Sequence, residues 1–209
     1  MSSWALRRPC RKATDDAAAA STTDTKGTAM TLLLDMAVSL DGCISALDGS
    51  DGGLHDWYFD PTDPSRAVID ELVEEAGALL LGRGAFGSGE DADGWDDSPY
   101  RVPHVVVTHR PPARRPDRTI EFVFVEGIPQ AVAVAKEAAG GRVVALGGGA
   151  DVARQCLAAG LVDEIQLHVV PVVLGGPRLF DGFSEAIRLT RTRVVDAPNV
   201  TYLRYRVGR

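Results

Sequence analysis

The stretch RVVALGGGADVARQCLAAGLVDEIQLHVVPVVLGGP, residues 142–177, packs a strand, a glycine turn, a helix and a second strand into one continuous run. Arg142-Val143-Val144-Ala145-Leu146 is a short apolar run of buried-strand type, and it leads straight into Gly147-Gly148-Gly149-Ala150-Asp151. Three consecutive glycines clear side chains from the turn, so something can approach the backbone there. Ala153, Cys156, Leu157, Gly160 and Leu161 then recur at helical spacing, which predicts a helix from about Gly149, stopped by Gly160. The first turn of a helix presents N–H groups without intrahelical partners and a partial positive charge. A glycine turn feeding such a helix therefore suits a phosphate or pyrophosphate. Turns of this kind also occur in α/β proteins that bind nothing, so the triplet alone leaves both readings open.

Two nucleotide-binding motifs are excluded by spacing. The chain has no Gly-x-x-x-x-Gly-Lys-Ser/Thr phosphate loop. A dinucleotide fingerprint of the Gly-x-Gly-x-x-Gly type fits poorly, because Gly147-x-Gly149 is followed by Val152 where the third glycine belongs.

Composition sets the class. At 209 residues, 45% apolar and 24% charged, the chain reads as a single globular domain over residues 30–209 behind a disordered arm or mis-assigned start over residues 1–29. The arm carries five basic and three acidic side chains, which leaves 17 against 26, a net −9, for the rest. That balance repels nucleic acid. No apolar run approaches the ~18 residues of a membrane span. Cys10, Cys43 and Cys156 are scattered, with no disulfide framework or zinc spacing, and fit a reducing cytoplasm.

Outward from the glycine turn, the residues predict alternating strands and helices. Thr31 to Val38 reads as an apolar strand, followed by Ser39-Leu40-Asp41-Gly42 and a long Gly/Asp-rich loop through His55, Trp57 and Phe59. Asp41 is the candidate for chemistry in that loop, although Asp-Gly is also a common turn pair whose carboxylate caps nearby N–H groups. Asp63 as N-cap and Pro64 in the first turn open a helix whose buried stripe is expected at Ile69, Leu72, Val73 and Ala76, ending near Gly77. Ala78 to Leu81 is a strand that ends in Gly82-Arg83-Gly84. Glu90 to Ser98 is an acidic loop without calcium-site register, and no metal is expected.

His104 to Thr108 is a third strand, closed by Thr108-His109-Arg110. Those polar groups, in line with Arg83, could hold a ribose 2′-phosphate, since arginine meets phosphate oxygens bidentately. The plainer reading makes His109 a surface histidine and Arg83 a partner of a carboxylate. Ile120 to Val125 is a strand, and Ile128, Ala131, Val132 and Ala135 mark a helix stopped at Gly140-Gly141. Asp163 to Val170, Ala186 to Val195 and Asn199 to Val207 are strands, the last two an antiparallel hairpin around Asp196-Ala197-Pro198-Asn199. The expected fold is α/β, a three-layer αβα sandwich whose mixed sheet is mostly parallel.

Taken together, Ser39-Leu40-Asp41-Gly42, Gly82-Arg83, Val107-Thr108-His109-Arg110, Gly147-Gly148-Gly149 and Gly160 to Ile165 with Pro171 to Gly175 resemble the dihydrofolate-reductase-like superfamily. The likeness is to the branch holding the reductase domain of the riboflavin-biosynthesis deaminase/reductase. It implies a homodimeric NADPH-dependent reductase acting on a small heterocyclic or imine/carbonyl substrate. Carried over by position, it implies a pyrophosphate turn at Gly148, Gly149, Ala150 and Asp151. It places 2′-phosphate contacts at Arg83, Thr108, His109 and Arg110, and the nicotinamide beside the backbone of Ala37 and Val38. Asp41 or a water would supply the proton. Gly147 stands where the riboflavin enzymes carry a substrate-contacting glutamate, the zinc deaminase motif is absent, and the acidic residue that holds a pteridine has no clear counterpart. A non-catalytic nucleotide-binding module and a flavin-binding protein are the competing readings.

Overall fold

The computed structural model describes residues 31–86, 98–112 and 119–208. The expected N-terminal arm and most of the acidic loop lie outside the described residues. The elements run β1 (Leu32–Ser39), α1 (Asp56–Phe59), α2 (Asp63–Glu75), β2 (Ala76–Gly82), α3 (Arg83–Phe86), β3 (His104–Val107), β4 (Phe122–Val125) and α4 (Ile128–Ala139). After these come β5 (Val143–Gly148), α5 (Ala150–Ala158), β6 (Glu164–Val170), β7 (Leu189–Ala197) and β8 (Val200–Val207).

All eight strands form one sheet in the order β4-β3-β2-β5-β1-β6-β8-β7. Pairings from β4 across to β6 are parallel, and β8 pairs antiparallel with both β6 and β7. The α/β class, the mostly parallel mixed sheet and the closing hairpin are thus as the sequence predicts. β1 is buried on both faces because helices cover both. Leu32, Leu34 and Val38 pack with α4 and α5, whereas Leu33 and Ala37 pack with Trp57 of α1 and with Val68 and Leu72 of α2.

The helix α4 carries its expected stripe, Ile128, Ala131, Val132 and Ala135, and ends on Gly140 in the left-handed region. The helix α2 departs from expectation. Its N-cap is Thr62, with Asp63 at the first helical position, and its buried residues are Ser65, Val68 and Leu72, so that Leu72 is buried as expected while Ser65 and Val68 take the places of Ile69 and Val73. Ala76 already belongs to β2, so the apolar run that looked like a helical stripe is partly strand. Gly77 is no helix stop either. A Cβ there would lie 2.3 Å from the Ala139 carbonyl oxygen, so glycine is required where β2 passes the end of α4. The hairpin turn is also tighter than expected, with only Pro198 and Asn199 between β7 and β8.

Candidate active site

The parallel strands deliver their carboxyl ends to one edge of the sheet. Along that edge lie, in order, Thr108 to Arg110 after β3, Arg83 after β2, the glycine turn after β5, and Asp41 after β1. With about 4.8 Å between neighbouring strands, β3 and β1 are roughly 14 Å apart.

At the centre, the β2–α3 and β5–α5 junctions touch through glycines. Gly149 has φ +88° and caps α5, and a Cβ on it would stand 3.2 Å from the Gly82 Cα. A Cβ on Gly148 would meet the Ala85 Cβ at 2.5 Å. Two glycines of the triplet are therefore demanded by packing. Gly147 is not, because it is exposed and a Cβ there would find nothing nearer than Leu81 Cδ2 at 3.9 Å. Its bare backbone faces open space beside the first turn of α5. Asp151 in that turn accepts a 2.7 Å hydrogen bond from Gln155 Nε2, which holds the carboxylate along the helix.

Arg83 stacks its guanidinium over the Phe86 ring, 5.5 Å from the centroid. Thr108 is buried, and its hydroxyl forms a tight turn with Arg110, accepting from the Arg110 N–H and donating to the Arg110 carbonyl, both at 3.0 Å. His109 and Arg110 are exposed, and His109 Nδ1 lies 2.9 Å from Glu126 Oε1. Arg83, His109 and Arg110 thus share one end of the edge, and Thr108 shapes the loop that carries two of them.

At the other end β1 and β5 part company. β1 pairs with β5 only from Leu32 to Leu34, while it continues against β6 through Ser39. The later half of β1, with Ala37 and Val38, therefore borders a gap in the ladder, at the height where β5 turns toward α5.

Asp41 lies just beyond. Its carboxylate accepts from the Ser39 hydroxyl (2.6 Å), the Leu174 N–H (3.1 Å), the Gly175 N–H (2.8 Å) and the Cys43 thiol (3.3 Å). These donors, Ser39 first and then the two backbone amides, hold its pKa well below the usual carboxylate range. Trp57 anchors the long loop after β1, buried with its indole N–H on the Leu54 carbonyl at 2.9 Å, whereas Phe59 is exposed.

A second group of polar residues sits on the Trp57 side of β1 and was not singled out from sequence. His168 of β6 donates from Nε2 to Asp35 Oδ1 of β1 at 2.6 Å, and Gln166 Nε2 lies 3.4 Å from the same oxygen. Trp57 stacks on His168 at 4.7 Å between centroids and 17° between planes, and Tyr202 meets it edge-on at 5.1 Å. Burial raises the pKa of Tyr58, Tyr100 and Tyr202, and the Asp35 charge adds to the rise in each. The available signal was Asp35 itself, one carboxylate inside an otherwise buried central strand.

Among the described residues, no group of three His, Cys, Asp or Glu side chains is placed to hold a metal, and no helix is long and apolar enough to cross a membrane.

Solved structures share this fold at low identity. A putative riboflavin biosynthesis protein from Shewanella sp. PV-4 is 22% identical, with a TM-score of 0.69 over 86% of this chain and 100% of its own. The riboflavin biosynthesis reductase of Saccharomyces cerevisiae is 16% identical, with a TM-score of 0.58 over 86% and 90%. The dihydrofolate reductase of Enterococcus faecalis, solved with NADP(H), is 18% identical, with a TM-score of 0.58 over 86% and 97%. No curated protein matches the sequence. The sequence does match the RibD C-terminal domain over residues 30–202, a span that takes in every strand of the sheet's parallel part and the whole of the edge described above. The chain belongs to the RibD C-terminal domain family.

Proposed function

We propose that this chain is an NADPH-dependent reductase that delivers hydride to a small heterocyclic or imine/carbonyl substrate, and that it works as a homodimer. The observation that carries this reading is the order of features along one sheet edge. Arginines stand at β2 and β3, a bare glycine turn with a helix N-terminus at β5, and a gap between β5 and β1. A dinucleotide laid across the strand ends would meet the arginines, the glycine turn and the break in the ladder in that sequence.

The residues fit the cofactor at each point. Gly148, Gly149, Ala150 and Asp151 would bring backbone N–H groups to the pyrophosphate, with Gly147 leaving the approach clear. Arg83, His109 and Arg110 would meet the 2′-phosphate, on a loop whose shape Thr108 sets. When bound, the dihydronicotinamide supplies the hydride. The protein's part is to place the ring against Ala37 and Val38 and to keep water from the reacting carbon. On this reading Asp41 is a positioning residue. Its carboxylate stays ionised through the neutral range and fixes Leu174 and Gly175 against the β1 loop, and a permanent carboxylate has no proton to give.

Titration of the full chain with NADPH and with NADH tests the reading. NADPH is expected to bind at least ~10-fold tighter, and Arg83→Ala or Arg110→Ala to remove ~1.4 kcal/mol or more of that preference. If neither nucleotide binds, the cradle reading of Gly147 to Asp151 fails. If NADPH binds but is not oxidised with any of a broad panel of imines and heterocycles, the non-catalytic alternative is favoured. Sedimentation velocity checks the dimer, expected as one species at twice the chain mass.

A further inference from the structure

Asp35 stands in the middle of the central strand of the sheet, on the same face as Ala37 two residues on. The fold has no need of a charge there. A buried ion pair can often be replaced by apolar side chains of similar volume at no loss of stability, whereas a buried carboxylate short of partners is costly. The carboxylate is only partly satisfied. Oδ1 faces both His168 Nε2 and Gln166 Nε2, and no described residue donates to Oδ2. Its side chain keeps 14% exposure, so the carboxylate is not sealed in. His168 is sealed in by Trp57 and Tyr202, and with Nε2–H committed to Asp35 its buried Nδ1 has no partner. Such an imidazole serves to aim the carboxylate. Asp35 is the first residue of β1 beyond its pairing with β5, and its charge acts on the rings of Tyr58, Tyr100 and Tyr202.

We propose that Asp35, oriented by His168 and Gln166, anchors the substrate by accepting a hydrogen bond at Oδ2 from an amino or ring N–H group of a planar nitrogen heterocycle. This rests on the reductase reading and narrows it, since it selects substrates with an N–H donor over equally shaped ones without. The neighbouring aromatic rings suit a flat ring, and a carboxylate acceptor favours a ring that is protonated or becomes so as it is reduced.

The test uses two probes of similar shape, 2-aminopyridine, which carries the donor, and 2-methoxypyridine, which does not. Each is titrated into the full chain by ligand-observed NMR, with and without NADPH. The native protein is expected to prefer 2-aminopyridine by at least ~10-fold, and Asp35→Asn to bring that preference below ~3-fold while NADPH affinity and the thermal midpoint hold. A merely structural Asp35 would shift the midpoint and leave the preference alone. Equal binding of both probes to the native protein, or a preference that survives Asp35→Asn, overturns the proposal. Crystals of the native protein soaked in 2-aminopyridine decide independently of the variant's folding. The amino nitrogen should stand within about 2.7–3.2 Å of Asp35 Oδ2, and density only elsewhere overturns the assignment. The two readings fail separately. Absence of NADPH binding with an Asp35-dependent preference intact removes the cofactor and keeps the anchor, while NADPH binding without the preference does the reverse.

Discussion

Asp41 and the three glycines show how single positions divide between building the edge and using it. The depressed pKa of Asp41 ties its charge to folding with a definite sign. The stabilisation it gives is complete above the unfolded carboxylate value of about 3.9 and is lost as pH falls toward the lower folded value. Between pH 5 and 9 the group therefore contributes no titration, and the pH profile of any NADPH oxidation should show no limb from it. Asp41→Asn should keep the fold at neutral pH and speed hydrogen exchange at Leu174 and Gly175, whose N–H groups it now holds. The glycines differ among themselves. Gly149→Ala forces a side chain onto φ +88° and toward Gly82, at a cost of about 1–3 kcal/mol in urea unfolding. Gly147→Ala meets open space at an ordinary φ and should leave stability unchanged or raise it by up to about 1 kcal/mol. If Gly147 clears the way to the pyrophosphate, the same change weakens NADPH binding without weakening the fold.

At the scale of elements, α2 is locked to the C-terminal strands by two arginines of unequal weight. Arg204 of β8 reaches Glu75 at the end of α2 (3.1 Å) and Glu164 of β6 (2.9 Å), and it is largely buried. Arg193 of β7 meets both oxygens of Glu71 at 2.6 Å but in a more exposed setting. Removing the buried partner strands two carboxylates, so Arg204→Ala should cost about 2 kcal/mol or more, read as a shift of the urea midpoint. Arg193→Ala should cost less than about 1 kcal/mol, because solvent screens the exposed pair. The lock matters to the site. α2 and the loop before it press Trp57 onto His168, and slack between helix and hairpin would be felt at Asp35.

Over the whole molecule, protection should follow the sheet order. β1 and β5 lie at its centre, between strands on both sides and with packed residues on both faces, while among the described residues β7 closes the sheet with an unpaired outer edge. Native-state hydrogen exchange should therefore be slowest in β1 and β5 and faster at the outward amides of β7. The later half of β1 is the informative exception. Where it has left β5, any amide turned to the gap should exchange faster than those of Leu32 to Leu34, and saturating NADPH should slow it if the cofactor fills the slot.

Local chemistry was enough to determine much of this protein. The apolar runs marked the strands, the periodicity of Ile128 to Ala135 set α4, and the glycine turn into α5 was legible as a turn, because each signal is carried by neighbours in the chain. Arg83 and Thr108 to Arg110 were legible as site candidates for the same reason, since each follows a strand end. Only the tertiary structure could decide that Gly77 serves the crossing of β2 and α4, that Gly148 and Gly149 answer to packing while Gly147 does not, and that Asp41 is held by Leu174 and Gly175. It alone joined Asp35 to His168, 133 residues apart. The physical reason is that a carboxylate in a strand and a histidine in another carry no mark of each other in one dimension. Strand register set them on one face, and the burial that makes their pairing matter exists only once the sheet has formed.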